Sequence, residues 1–193
     1  LDQSININFK GLVEMNDLKV HTRETAPDAS QPLLDNSVKA FGSIPSLHGI
    51  LAESPQLLEA YQMLHKLFQE TSFNKEELTV VWQTINVEHE CHYCVPAHAA
   101  IASMMKVDES LTAALRNREP LSDPKLQALH DMTLSILRNR GRVDEQQVQA
   151  FYAAGYGPKQ LLEIILGLSQ KVISNYVNHL GDTPLDERFA KFI

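Results

Sequence analysis

The run Glu88-His89-Glu90-Cys91-His92-Tyr93-Cys94-Val95-Pro96-Ala97-His98 gathers both cysteines of the chain, three of its eight histidines and two acids. On a helix, Cys91, Cys94 and His98 fall at steps of three and four residues, so their side chains stack along one face. A thiol pair with a base beside it is equipped for redox chemistry. Cys-x-x-Cys closes a disulfide with little backbone movement, and its thiolate is stabilised by a helix N-terminus or a neighbouring imidazolium. Pro96 has no amide hydrogen and suits a first helical turn, which sets the cysteines at a helix start. Two rival readings use the same residues. The thiols with His89, His92 and His98 can hold zinc, although a structural site needs four ligands and there is no second Cys-x-x-Cys. Alternatively the thiols are inert and buried. His89 and His92 read as solvent-facing residues at a helix end rather than as ligands.

The elements that must carry this run are helical. Ser54-Pro55 is an N-cap with a first-turn proline and opens a helix to about Gln69, with Leu57, Leu58, Tyr61, Leu64, Leu67 and Phe68 on its apolar face. Asn74 with Glu77 forms a capping box for the helix that takes Leu78, Val81, Trp82 and Ile85 into the motif, and Trp82 reads as a packing residue. Asp108 caps a helix to Asn117, Asp123-Pro124 opens one ending near Gly141, Asp144 starts one that Gly155 stops, and Pro158 opens the last long one, to Gly181. A short tail helix follows from Leu185 to Phe192. The arginines 138, 140 and 142 read as a solvated helix end. No run rich in Val, Ile and Thr between hairpin turns interrupts the body, so the class is all-α. Ahead of it, residues 1–12 alternate polar and apolar as an extended arm, and residues 22–37 carry Pro27, Asp28, Ser30, Pro32 and Asn36 without periodicity, as a linker does. The domain reading is therefore an arm and linker over 1–36 and a helical domain over 37–193.

With 193 residues the chain suits one generous domain, and a net charge of −7 without a basic stripe argues against nucleic acid and anionic membranes. No apolar run approaches a membrane span and residues 1 to 30 lack a signal pattern. Two cysteines in one redox motif fit a reducing compartment, so a soluble cytoplasmic protein is expected. A fixed offset of about 84 residues sets 73–94 over 157–178, with Cys91 on Asn175 and Cys94 on Asn178, a weak sign of two related helical halves of which the second has lost its thiols. For Asn175, Asn178 and His179 this leaves two roles open: capping and packing near a helix end, or hydrogen bonding behind the thiols.

Cys91-His92-Tyr93-Cys94 followed by Val95-Pro96-Ala97-His98 resembles the signature of the alkylhydroperoxidase D-like branch of the carboxymuconolactone decarboxylase superfamily. The likeness runs over most of the chain, from Phe41-Gly42-Ser43-Ile44-Pro45 and Glu53-Ser54-Pro55 through Ala150 to Tyr156, Ser174 to His179 and Thr183-Pro184-Leu185-Asp186. It implies an alkylhydroperoxidase D-like helical bundle, a homo-oligomer, and a thiol-dependent antioxidant oxidoreductase that reduces hydroperoxides without a cofactor. Cys94 would then attack the peroxide, Cys91 would resolve the sulfenic acid, and His98 would move the proton and support the thiolate. The electron donor is left open.

The chain departs from that family's pattern at two positions. Where peroxidase members carry a relay glutamate, twelve residues before the first cysteine, stands Thr79, and Glu76, Glu77 and Glu163 are the substitutes nearest at hand. Tyr93, where histidine is frequent, is a smaller departure. The rivals to a peroxidase are a decarboxylase of the superfamily, which works without such a thiol pair, a redox-sensing or metal-binding module, and a purely structural oligomer.

Overall fold

The computed structural model describes residues 17–193, and the arm expected over residues 1–12 lies outside them. Among the described residues there are nine α-helices: α1 Gln31–Phe41, α2 Ser46–Leu51, α3 Pro55–Gln69, α4 Lys75–Glu88, α5 Cys94–Met104, α6 Glu109–Asn117, α7 Pro124–Arg138, α8 Glu145–Ala153 and α9 Pro158–Gly181. A 3-10 turn, Asp28–Ser30, lies just before α1, and a 3-10 helix, Glu187–Phe192, follows α9. No strand occurs among the described residues, and none of their helices is long and apolar enough to cross a membrane.

The starts follow from local chemistry. Asn74 accepts from the Glu77 amide while the Glu77 carboxylate accepts from the Asn74 amide, and Asp144 with Gln147 repeats the arrangement at α8. Asp108 and Asp123 cap α6 and α7 through amides of the first turn, and Pro55, Pro124 and Pro158 each occupy a first-turn position where no amide hydrogen is missed.

The linker expectation is corrected. Residues 28–41 are helical, and Pro32, read as a breaker, stands in the first turn of α1. The segment is bound to the body: Leu34 is fully buried, Ala26 joins it in the core, and Ser30 Oγ donates to the Ala52 carbonyl at 2.6 Å. The tail is helical as expected, but of the 3-10 type.

Two apolar clusters divide the interior. One is built on Phe68, Trp82, Ile85, Leu129, Met132 and Phe151, and the other on Leu34, Leu51, Leu58, Tyr61 and the two cysteines. Helix α4 packs against α5, α6, α7 and α9, and α9 in turn against α2, α3 and α5, so these two helices carry the frame. Gly167 lets α9 come close, since a Cβ there would stand 2.7 Å from the Phe68 ring.

Candidate active site

Helix α4 ends where the thiol run begins. His89 is its last cap, Glu90 takes the left-handed conformation at φ 53, and the Cys91 amide returns to the Asn86 carbonyl at 3.0 Å, a Schellman closure on a residue other than glycine. Cys91 thus sits in the turn before α5, and Cys94 is the first residue of that helix rather than one turn further along it. The Cys94 amide points at Cys91 Sγ, 3.3 Å away. Buried amides from α4 fix the opening turn of α5: Gln83 Nε2 donates to the Val95 carbonyl and Asn86 Nδ2 to that of Cys94.

Both sulfurs are free and buried. Asn178 on α9 reaches both, with Nδ2 at 3.1 Å from Cys94 Sγ and 3.7 Å from Cys91 Sγ. Its neighbour Asn175 donates to Asn86 and accepts from His89 Nδ1 at 2.8 Å. Of the two pairs that the offset of 84 superimposes, Cys94 and Asn178 face each other across the site, and of the two roles left open for these asparagines the hydrogen-bonding one is realised. His89 is half-buried in that network, not free in solvent, whereas His92 is exposed and donates to the Thr183 carbonyl. Among the described residues no three His, Cys, Asp or Glu side chains converge as a metal cluster would require.

The charge beside the thiols comes from a residue that the sequence reading passed over. Lys171 on α9 is fully buried, and its Nζ lies 2.9 Å from His98 Nε2. An ammonium only donates, so Nε2 is the bare nitrogen of the ring and the hydrogen is on Nδ1, which is buried with no partner. Burial, then Lys171, then His65 hold His98 well below its ordinary pKa, so the ring is neutral. This corrects the expectation that His98 supports the thiolate by charge: it contacts neither sulfur by a hydrogen bond, and the cation is Lys171. Burial works against ionising Cys94, but the hydrogen bond from Cys91, the charge of Lys171 and contacts from Ser174 and Asn175 outweigh it and lower the thiol to about 5. Cys91 moves up, through its hydrogen bond to Cys94 and through burial.

The four relay candidates stay away from this centre, and none lines the cavity described below. Glu77 is consumed by its capping box and by Lys125, 2.9 Å away; Glu76 pairs with Lys75 at the surface; Thr79 donates back to the Lys75 carbonyl; and Glu163 accepts from the Ser72 amide and hydroxyl. Glu76 and Glu77 stand in the first turn of α4, where carboxylates are favoured. A signal for Lys171 did exist. Ile164, Gly167, Gln170, Lys171, Ser174 and Asn178 recur at three and four along the buried face of α9, so the lysine shares a face with a packing glycine and with the asparagine behind the thiols.

A cavity of about 870 Å³ opens onto Cys94, His98 and Lys171, but not onto Cys91. His48, Tyr61 and His65 line it too, and rings continue inward from them: His65 stacks on Trp82 at 5.5 Å, and Trp82 meets His98 at 4.9 Å. Trp82 is a packing residue as expected and is also tied by Nε1 to Gln170.

No protein-family model matches the sequence, nor does any curated protein. Solved structures do match. An uncharacterized peroxidase-related protein from Ralstonia eutropha JMP134, with an alkylhydroperoxidase AhpD core, superimposes with a TM-score of 0.78 at 18% identity over 89% of this chain and 92% of that one. A peroxidase-related protein from Silicibacter sp. TM1040 gives 0.76 at 17% over 92% and 94%. The debrominase Bmp8 in complex with 2,3,4-tribromopyrrole gives 0.77 at 15% over 92% and 96%. The chain has the alkylhydroperoxidase D-like fold, all-helical, and that fold serves more than one chemistry.

Proposed function

We propose that the protein is a two-cysteine thiol peroxidase that reduces organic hydroperoxides. The observation that carries the reading is the placement of the sulfurs: Cys94, with its pKa lowered beside Lys171, forms part of the cavity wall, while Cys91 lies behind it under the same asparagine. The Cys94 thiolate attacks the terminal peroxide oxygen, forming an S–O bond as the O–O bond breaks. The leaving alkoxide takes the His98 Nδ1 proton while Nε2 takes one from Lys171, so ROH departs and Lys171 is left neutral. Lysine and histidine thereby replace the carboxylate relay that Thr79 cannot supply. The Cys91 thiol then attacks the Cys94 sulfenic acid; the disulfide forms and water leaves. An external dithiol returns two electrons and the proton of Lys171, which suits a reducing cytoplasm.

One equivalent of cumene hydroperoxide should convert the reduced protein to the Cys91–Cys94 disulfide. Cys91→Ser should stop at a sulfenic acid that dimedone traps, and Cys94→Ser should not react at a comparable rate. The order of the sulfurs is overturned if the traps are reversed. If the wild type is inert to peroxide yet releases bromide from tribromopyrrole, the peroxidase reading gives way to debromination, the activity in the name of one neighbour.

A further inference from the structure

The cavity has a sign of charge opposite to that of the molecule. The chain holds 24 acids against 17 Lys and Arg, yet the lining contains Lys66, Lys171, Arg188 and Lys191 and no Asp or Glu. Lys171 sits at the deep end with Cys94, whereas Arg188 and Lys191 come from the closing 3-10 helix and are exposed. Neither of these two is paired with a carboxylate among the described residues. Arg188 spends one donor on the Phe41 carbonyl, 2.9 Å away, and lies over the Phe189 ring at 4.8 Å, which leaves guanidinium donors free. Lys191 stands over the Phe192 ring at 5.0 Å. Arg188 also acts inward: after burial and His65, its charge is what holds His48 in the cavity wall neutral, at about 3. Apolar side chains in the same lining are Phe41, Leu47, Ala97, Ile101, Met104 and Phe189, beside the polar Asn36, Ser37, Gln62, Gln69 and Ser103.

A small neutral peroxide needs neither that volume nor those cations. We infer that the cavity takes an amphipathic anion, a long-chain carboxylate carrying a hydroperoxide, with its apolar body along Phe41, Leu47 and Met104, its carboxylate on Arg188 and Lys191, and its hydroperoxyl group at Cys94. The chemistry of this inference rests on the peroxidase reading; the binding rests on the cavity alone. Phe189 and Phe192 hold the two cations at the mouth, so the tail acts as the specificity element and the thiol run as the reactive one. Atoms and electrons balance as above: the hydroperoxide is reduced to the hydroxy acid, and the thiol pair is oxidised to the disulfide.

The test compares linoleic acid hydroperoxide with its methyl ester, below their micellar concentrations, against the reduced full chain. The free acid should oxidise the thiols with a kcat/KM about tenfold higher, the order expected of a charge-assisted hydrogen bond. In Arg188→Gln with Lys191→Gln the ratio of acid to ester should fall to about one, and Arg188→Lys should keep part of it. A ratio of one in the wild type, or an equal loss for acid and ester in the double variant, overturns the inference. Calorimetric titration with linoleate, which cannot oxidise a thiol, separates the two claims. Charge-dependent binding of linoleate without any oxidation by hydroperoxides would retain the anion site and remove the peroxidase. Oxidation without preference for the acid would do the reverse.

Discussion

Lys171 is an ammonium taken wholly out of water, and its surroundings show what it does there: it donates to His98 and stabilises the charged form of Cys94. Burying a charge is costly unless it is partnered, so the arrangement points to function rather than stability. Lys171→Met keeps the length and removes the charge. Its thermal midpoint should hold or rise, while alkylation of Cys94 by iodoacetamide at neutral pH should fall by about ten- to a hundredfold as the thiol returns toward its ordinary range. The wild-type profile follows from the direction of the shift. Because the folded pKa is lowered from 9.0 to about 5, alkylation should be flat through neutrality and drop as the pH falls through about 5. Through the same shift this sulfur adds stability that is full above the unfolded value of 9.0 and is lost as the pH falls through about 5. An alkylation midpoint that stays put in Lys171→Met would show that Cys91 and the asparagines carry the shift. At this scale the motif residues were legible because cysteines are rare and their spacing is short. Lys171 was harder to read, because one lysine in a long helix looks solvated unless its spacing with Gly167, Ser174 and Asn178 is set on one inward face.

Helix boundaries were legible wherever the backbone announces them. Asn74 with Glu77, Asp108, Asp123 with Pro124, and Asp144 are chemical ends, decided by which side chain satisfies which first-turn amide. The segment before Ser37 defeated the same reasoning because Pro32 supports either a break or a first turn, and what decides is the burial of Leu34 against the second cluster. The break between α4 and α5 was also hidden, since Glu90 adopts a conformation that sequence reserves for glycine or asparagine. Close approach of elements leaves a better trace. Gly167→Ala would place a methyl group 2.7 Å from Phe68 Cε2 and 3.0 Å from Val81 Cγ1, in a core with no slack. Overpacking of this kind costs roughly 1–3 kcal/mol, and denaturant unfolding should show that loss. A gain in stability, as helix propensity alone predicts for glycine to alanine, would mean that α9 can slide.

On the scale of the molecule, the two apolar clusters are joined by a polar seam rather than by more hydrophobic surface. Trp82 to Gln170, Asn175 to Asn86 and Lys171 to His98 are its buried bonds, and all of them link α9 to α4 or α5. The cluster with Leu129 is closed by α4, α6, α7 and α8. The cluster with Leu58 holds the cysteines, is enclosed in part by the short α1, α2 and the tail, and has the cavity on its flank. Local opening is governed by how many buried contacts a region must give up, so the second cluster should open at lower free energy than the whole. Leu58→Ala and Leu129→Ala each truncate a fully buried leucine, and each should cost roughly 2–5 kcal/mol in global unfolding. Their effects on Cys91, which lies behind Cys94 and away from the cavity, should differ. Under native conditions Leu58→Ala should speed the labelling of Cys91 by an aromatic disulfide reagent well beyond the change that Leu129→Ala produces at matched loss of stability. Equal labelling in the two variants would mean that the seam makes the clusters one cooperative unit, and Cys91 would then be reached only when the whole fold opens.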